Sequence, residues 1–532
     1  MTELAKFEAG PSTAIREPIL RGLAKYATPV ALILLCELVA ATFLLTTIAK
    51  STSDHFWIDE VLAIWTARLH SPAEIISAIW KGAEFSPPTY DLFLHVLFNT
   101  FGSDRLVARL PSIVAVLVSA TTLGVIVWRR LDAVSGALTF GLVLNSFLFD
   151  FAIQARPYAM LMATTSLALL VWSNRKPEGG SWWQGATLAF LLFACVSLHI
   201  YAVVTIAIFG LMEFLWSVAQ RRIRLPIWFG LAAGTGASAL WLPLMLHLSK
   251  YNSGDTTASD FFGAPTPSHL VRDVHSIFAG SDVFFLFILA TVLVVSAAFV
   301  ISLISRNPRE RLPAPPKALD GNEVQIAVMG FALLVALPLG FTLASCVTHV
   351  FVGRYALAAV FGVTLLFVLA LSKVPYQRGV GIILLAILCI LPLFRASPRD
   401  WSAPSLDLLH GLRASGPVVV GDGDLYMELM ESAEPDLRSR LVYLKSLDGL
   451  TPADPSGEHQ LERIFSAFRS DLQVKDAPSF FAQHPHFIDL ARPGRPTDDL
   501  SAWFIAKGWV SGVIGMKGGV ALFDVDTSRS PR

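Results

Sequence analysis

About eleven apolar stretches, separated by connections of which every second one is basic, set the main limit on what this chain can fold into. Crossing a ~30 Å hydrocarbon core takes about 20 helical residues. Stretches approaching that length lie near 27–49, 106–128, 133–152, 157–173, 181–198, 200–218, 225–248, 282–305, 324–346, 355–372 and 379–396. Lys and Arg collect at Arg16/Arg21/Lys25, Arg129/Arg130, Arg175/Lys176, Arg221/Arg222/Arg224, Arg306/Arg309/Arg311/Lys317 and Lys373/Arg378. Clusters in alternate connections match the positive-inside rule for a chain threaded back and forth through a membrane. The pattern predicts a polytopic α-helical membrane protein with about eleven transmembrane helices. A cytoplasmic N-terminal segment (1–26) would precede a membrane domain (27–396) with a large outer loop (50–105), followed by an extracytoplasmic region (397–532).

Composition agrees: 54% of the 532 residues are hydrophobic and only 15% charged, a balance far from that of soluble domains. A net charge of zero offers nothing to nucleic acid. Cys36, Cys195, Cys346 and Cys389 lie in apolar stretches or at their edges, so neither a disulfide framework nor a paired-cysteine metal site is expected. The first apolar run, Tyr26 to Ala49, exceeds the ~7–15 residues of a signal-peptide core and is read as a retained span. The segment 87–101 is apolar but short, and it carries Asp91 and His95. Counting it as a span would put Arg129/Arg130 outside, so an interfacial or re-entrant helix is expected. Residues 59–82, with Val61, Leu62, Trp65 and Leu69 at helical spacing, read as a second surface-lying stretch.

The Pro- and charge-rich stretch 307–322 reads as a linker. Beyond 397 the pattern changes to that of a small α/β domain. Strands are predicted at 418–423, 441–444, 510–516 and 520–525, with helices at 424–433, 458–470 and 498–507. Gly421-Asp422-Gly423 lacks the full dinucleotide fingerprint, so nucleotide binding is not expected there.

Chemistry-bearing residues gather on the outward side. Asp59 and Glu60 follow the first span, where a lipid-linked substrate would present its polar head. Most such acidic pairs are merely solvated loop residues, so the case rests on what joins them. Asp150, Gln154 and Arg156-Pro157-Tyr158 link the third and fourth spans. Charges so near hydrocarbon need a partner or a wet cavity, and proline suits the first turn of the following helix. Arg354-Tyr355 opens the tenth span in the same way, and His199 and Tyr201 occupy the short turn between the fifth and sixth. Two outer arginines suit a phosphate, because guanidinium donates paired hydrogen bonds to anionic oxygens. A snorkelling cap is the plainer role for each arginine, and a satisfied boundary residue the plainer role for His199.

In their order and sidedness, Asp59-Glu60, the Pro87-Pro88-Thr-Tyr-Asp-Leu-Phe-Leu-His95 stretch, Arg109-Leu-Pro-Ser112, Gln154-Ala-Arg-Pro-Tyr158, His199-Ile-Tyr201 and Gly353-Arg-Tyr355 resemble a known family. This is the GT-C membrane glycosyltransferases of the protein O-mannosyltransferase and aminoarabinose lipid A transferase superfamily, and the likeness covers roughly 25–375. Where that family usually has Gln-Glu-Ala-Arg, this chain has Ile153-Gln154-Ala155-Arg156, with Asp150 one helical turn earlier. The resemblance implies transfer of a sugar, with inversion, from a polyprenyl-phosphate donor to a lipid, glycan or protein acceptor at the outer face of the membrane. In a bacterium that would be the inner membrane, with the C-terminal domain periplasmic or extracellular. Asp59 is then the expected general base and Glu60 its orienting or acceptor-binding neighbour. Arg156 and Arg354 are the expected donor-phosphate ligands. Asp150, Gln154, Tyr158, His199, Tyr201, Tyr355 and His95 would shape the substrate cavity. No metal-ligand cluster stands out and no cofactor is assigned, although the acidic residues leave a divalent cation open. A transporter or flippase of lipid-linked sugars is the main alternative and an envelope scaffold the third; charges at outer helix ends rather than mid-span favour interfacial chemistry.

This threading makes a direct prediction. A cysteine introduced near Gly457 should react with a membrane-impermeant thiol reagent in intact cells; labelling only after lysis would show that the span count is wrong.

Overall fold

A computed structural model describes residues 12–174, 181–252, 282–305, 319–348, 352–395, 402–412, 416–445, 472–492 and 499–529, with a few positions between 266 and 275. Six described helices are long and apolar enough to cross a membrane: Pro29–Ser53, Arg105–Arg130, Ile200–Gln220, Leu225–Leu248, Gly321–Cys346 and Gln377–Phe394. Shorter apolar helices, Ala133–Asn145, Tyr158–Ser173, Trp182–Leu198, Phe287–Val300 and Ala358–Leu371, fall on the other five expected stretches. Length and apolarity therefore qualify six of the eleven. The others stop early where the backbone leaves the helix, as at Ser146, Asn174 and His199. The first, second, fourth and sixth basic clusters fall wholly or partly among described helices or their ends, whereas Arg175/Lys176, most of the 249–281 loop and most of the 307–322 linker lie outside the described residues.

Large apolar side chains cover the outside of these helices. Leu34, Leu45, Phe190, Val218, Phe331 and Ile383 are all exposed, an arrangement that suits hydrocarbon and not water. The chain is an integral membrane protein. Helix contacts use small residues, as packing without a hydrophobic drive requires. A Cβ at Gly185 would lie 2.1 Å from the Pro226 carbonyl oxygen, and one at Gly230 would lie 2.4 Å from the Gly185 carbonyl oxygen. Two carboxylates depart from the expectation that charge avoids the helix interiors. Glu213 is buried against Arg224 and accepts from Trp172 Nε1 at 3.0 Å, while Glu37 is exposed on the first helix.

That first helix, α1 (Ser12–Ser53), leads into three short helices where the sequence predicted surface-lying segments: α2 (Ile58–Ala67), α3 (Pro72–Trp80) and α4 (Thr89–Phe101). Ser71 caps α3 by accepting from Glu74 N at 3.3 Å and Pro72 follows it, which breaks 59–82 into two helices. Helix α5 (Arg105–Arg130) then enters the membrane, capped by Asp104, which accepts from Val107 N at 2.9 Å.

The C-terminal region carries a six-stranded sheet of order β3-β2-β1-β4-β6-β5. The strands are β1 (Val418–Val420), β2 (Leu441–Lys445), β3 (Val474–Asp476), β4 (His486–Ala491), β5 (Val510–Lys517) and β6 (Val520–Asp526). β1 to β4 pair in parallel, and β6 and β5 continue antiparallel. Helices Gly423–Ser432 and Asp499–Ala506 occupy two of the predicted helical stretches; the third, 458–470, lies outside the described residues. Sequence patterning missed β3 and β4. The first is three residues long, and the second carries buried Asp489 in its middle, which breaks the apolar run. Asp422, in the glycine turn, caps the following helix and accepts from Arg492 Nε at 2.8 Å.

One buried ion pair sets the end of the membrane helices next to α2. Arg109, on α5 and almost fully buried, donates from Nε and Nη2 to the two carboxylate oxygens of Glu60 at 2.8 and 2.7 Å. Its remaining N–H groups reach the carbonyls of Ser51 (3.2 Å), Asp54 (2.9 Å) and His55 (3.0 Å). The guanidinium thus spends all five of its donors within the protein. Glu60 also accepts from Ala155 N at 2.6 Å and Trp57 N at 3.3 Å. The pair joins the end of α1, the start of α2, α5 and the loop before Tyr158. Arg109→Leu would strand a buried carboxylate and should destabilise the protein by about 3–5 kcal/mol, read as a loss of folded protein and a lower thermal midpoint in detergent. Wild-type stability in that variant would count against the tie.

Candidate active site

Asp59 stands in the first turn of α2, next to Glu60 but facing different partners. Its backbone carbonyl accepts from Arg156 Nη1 at 2.8 Å, and its carboxylate Oδ2 lies 3.2 Å from Arg354 Nη1. Arg156 comes from the loop before the helix Tyr158–Ser173, a loop fixed by Ser112 Oγ donating to the Gln154 carbonyl at 2.6 Å. Arg354 comes from a short 3-10 turn, Gly353–Ala356, ahead of Ala358–Leu371. Three distant parts of the chain therefore bring two guanidinium groups to Asp59, one on its carboxylate and one on its backbone carbonyl.

Aromatic rings wall this place. The Arg354 guanidinium lies 5.9 Å from the ring centre of Trp57 and 5.6 Å from that of Tyr158, and Arg156 is 5.9 Å from Tyr158. His199 packs against Tyr158 at 5.1 Å and Tyr355 at 5.4 Å, and Tyr201 stacks on Tyr355 at 3.9 Å with 13° between planes. Several polar atoms are left over. Trp57 Nε1, Arg156 Nε, Arg354 Nε and Asp59 Oδ2 are buried without a hydrogen-bond partner. Buried polar groups are usually satisfied, so three unmet donors on residues near Asp59 leave room for a hydrogen-bond acceptor.

Electrostatics keep both arginines charged. Burial works against the Arg156 cation, but Glu84, which pairs with it directly, and Asp59 outweigh that and hold its pKa well above the ordinary value. Burial likewise works against Arg354, and Tyr158 and Asp59 raise it beyond its usual range. His199 moves the other way: burial first, then Arg156 and Arg354, push its pKa down to about 3. Its Nδ1 accepts from Tyr201 N at 3.3 Å, which places the ring proton of the neutral imidazole on Nε2.

The expected site residues divide. Asp59, Arg156, Arg354, Tyr158, His199, Tyr201 and Tyr355 come together. Glu60 does not share the open site, because its carboxylate is consumed by Arg109 and two backbone N–H groups. His95 is also elsewhere: Nδ1 bonds the Ala67 carbonyl at 2.9 Å and Nε2 faces Asn99 Nδ2 at 3.0 Å, so it braces α4 against α2 rather than lining the cavity. Asp150 pairs with Arg395 at 3.2 Å, not with either site arginine. Gln154 contributes its carbonyl to the loop, and its side chain is half-buried.

Sequence inspection passed over Glu84 and did not see what Asp91 does. Glu84 is buried beside Arg156. Burial and then Glu84 hold the Asp91 carboxyl well above the carboxylate range. Tyr90 beside it is fully buried with its hydroxyl unpaired. The double proline at 87–88, which ends one turn and starts α4, was the only signal that this stretch folds back on the site. Among the described residues no group of three or more His, Cys, Asp or Glu is placed to hold a metal ion.

No protein-family model matches the chain, and no curated protein matches it. Solved structures are similar to it at low identity. ArnT from Cupriavidus metallidurans in the apo state is 14% identical, with a TM-score of 0.44, over 93% of this chain and 98% of that one. ArnT of the same organism bound to undecaprenyl phosphate gives 14% and 0.43 over 92% and 97%. The Archaeoglobus fulgidus oligosaccharyltransferase in complex with zinc and sulfate gives 10% and 0.42 over 86% and 67%.

The depressed pKa of His199 has a stability consequence with a definite sign. The unfolded imidazole binds a proton below about its ordinary pKa of 6.5, whereas the folded one stays neutral until about pH 3. The unfolded state therefore binds more protons in that window, and stability is lost as pH falls from 6.5 towards 3. His199→Gln should lose less stability than wild type between pH 7 and pH 5 in thermal unfolding. Parallel losses in the two proteins would refute a buried neutral histidine.

Proposed function

We propose that this protein is a GT-C-type membrane glycosyltransferase that moves a sugar from a polyprenyl-phosphate donor to an envelope lipid, glycan or protein at the outer face of a bacterial plasma membrane. The observation that carries this reading is the set of buried, unsatisfied donors from Trp57, Arg156 and Arg354 around the carboxylate of Asp59. The place lies at the ends of apolar helices, where an amphiphile with an anionic head fits. The alternating basic clusters support its outward orientation and that of the C-terminal region.

In this scheme Arg354 and Arg156 bind the lipid phosphate, with the indole N–H of Trp57 and His199 Nε2–H as further donors. Asp59 removes the proton from the acceptor hydroxyl as its oxygen attacks the anomeric carbon from the face opposite the phosphate. The new C–O bond forms while the bond from the anomeric carbon to the phosphate oxygen breaks, and the lipid phosphate leaves with that electron pair. Configuration inverts. The two guanidinium groups stabilise the charge that builds on the leaving group. Glu84 pairs with Arg156 and holds it in place. The ring face of Tyr201 stacked on Tyr355 offers a platform for the sugar or for the first isoprene unit.

Two substitutions test this. Asp59→Asn should lower transfer by ~10²–10⁴-fold while leaving membrane insertion intact. Transfer is measured as the envelope species that mass spectrometry finds missing from a strain lacking the protein and restored by the wild-type copy. Arg354→Lys and Arg156→Lys should weaken binding of undecaprenyl phosphate but not of undecaprenol, since lysine cannot reproduce the planar two-bond grip. Near wild-type transfer by Asp59→Asn, or unchanged phosphate-lipid binding in both lysine variants, would overturn the assignment.

A further inference from the structure

The C-terminal helix Gly423–Ser432 lies against α2, the helix that carries Asp59, and two of its glutamates grip that helix at both ends. Glu428 Oε1 accepts from Ile58 N, the first residue of α2 and the neighbour of Asp59, at 3.0 Å. One turn on, Glu431 accepts from Trp65 Nε1 at 2.8 Å and from Arg68 Nη1 at 2.7 and 2.9 Å, at the C-terminal end of α2. Arg68 in turn holds Ser103, its Nε donating to the hydroxyl at 3.1 Å and its Nη2 to the carbonyl at 3.1 Å, just ahead of α5. The spacing of three residues sets both carboxyl groups on one face of the C-terminal helix. Asp422 and Arg492 fix the start of that helix to the sheet.

We infer that the C-terminal domain is a positioning element for the active site: Glu428 and Glu431 clamp α2 at its two ends and so hold the Asp59 carboxylate in register with Arg354. This rests on the proposed role of Asp59. A single anchor would leave α2 free to pivot, whereas two anchors about one helix length apart fix its direction and its roll. Misplacing a reacting group by 1 Å can cost on the order of 10²-fold in rate. Burial, with Asp424 and Asp422 adding to it and Arg492 opposing, pushes the Glu428 carboxyl up to about 8. At neutral pH it accepts the Ile58 N–H as a largely neutral group, so glutamine is its close substitute and leucine is not.

The test uses the full-length protein in detergent or nanodiscs. In Glu428→Leu and Glu431→Ala, amide hydrogen exchange over residues 58–68 should quicken at least tenfold while β4 and β6 keep their protection. Glu428→Gln should restore most of the protection lost with leucine, and the exchanged pair Arg68→Glu/Glu431→Arg should restore part of that lost with alanine. Transfer, measured as the envelope species defined above, should fall about tenfold, with undecaprenyl phosphate binding within twofold of wild type, because the two arginines that grip the phosphate, Arg156 and Arg354, come from other elements. Unchanged exchange across α2 would overturn the clamp. So would loss of lipid-phosphate binding and transfer in equal proportion, the signature of general unfolding. An active Asp59→Asn protein would instead overturn the assignment of the base, and the exchange measurement would still decide the clamp.

Discussion

The α2 end of the membrane helices is referred to the pairing of Arg109 with Glu60. Two fully buried opposite charges are expensive to desolvate, and their attraction offsets that cost only when the remaining donors and acceptors are also met. Here they are. The guanidinium meets a carboxylate and three backbone carbonyls, and the carboxylate also takes two backbone N–H groups. Such a node has little freedom to rearrange. It fixes the exit of α1, the start of α2 and the loop carrying Arg156 to α5. Asp59 is one residue from Glu60, so its direction follows from the same node.

The neighbouring site has the opposite character. Its charges are incompletely satisfied: Arg354 and Arg156 keep unpaired Nε atoms, and Trp57 keeps an unpaired indole N–H. Leaving buried donors unmet costs stability, a cost that functional sites carry because the ligand completes the set. Two adjacent acidic residues thus have different fates, one saturated within the protein and one left facing two cations. His199 fits the same logic, since burial and then the two guanidinium groups favour its neutral form, with its proton on Nε2.

The C-terminal sheet is held to the membrane helices through the same α2. Glu428 and Glu431 tie that helix to the C-terminal helix Gly423–Ser432, and Asp422 with Arg492 ties the helix to the sheet. A continuous set of polar contacts therefore runs from β4 and its flanking residue Arg492 to Asp59.

Hydropathy and the alternation of basic clusters were enough to recognise a polytopic helical protein with a small α/β region, because a membrane helix must satisfy its backbone within itself and so leaves a long apolar signature. The strand pattern at 441–444, 510–516 and 520–525 was readable from local alternation of side chains, whereas the break of 59–82 at the Ser71-Pro72 cap was passed over. The order of Asp59, Arg156, His199 and Arg354 along the chain pointed to one face. Partner choice was not readable. Nothing local distinguishes Asp59 from Glu60, and the difference arises because Arg109, 49 positions away from Glu60, reaches one carboxylate and not the other. Likewise His95, in a suggestive motif, bonds to α2 and Asn99, and Asp150 goes to Arg395. Glu84 and the C-terminal glutamates carried no signal, since a lone carboxylate in a loop or on a helix looks like any solvated residue. Those pairings depend on which long-range neighbours fill the space when the helices pack, and only the tertiary structure decided them.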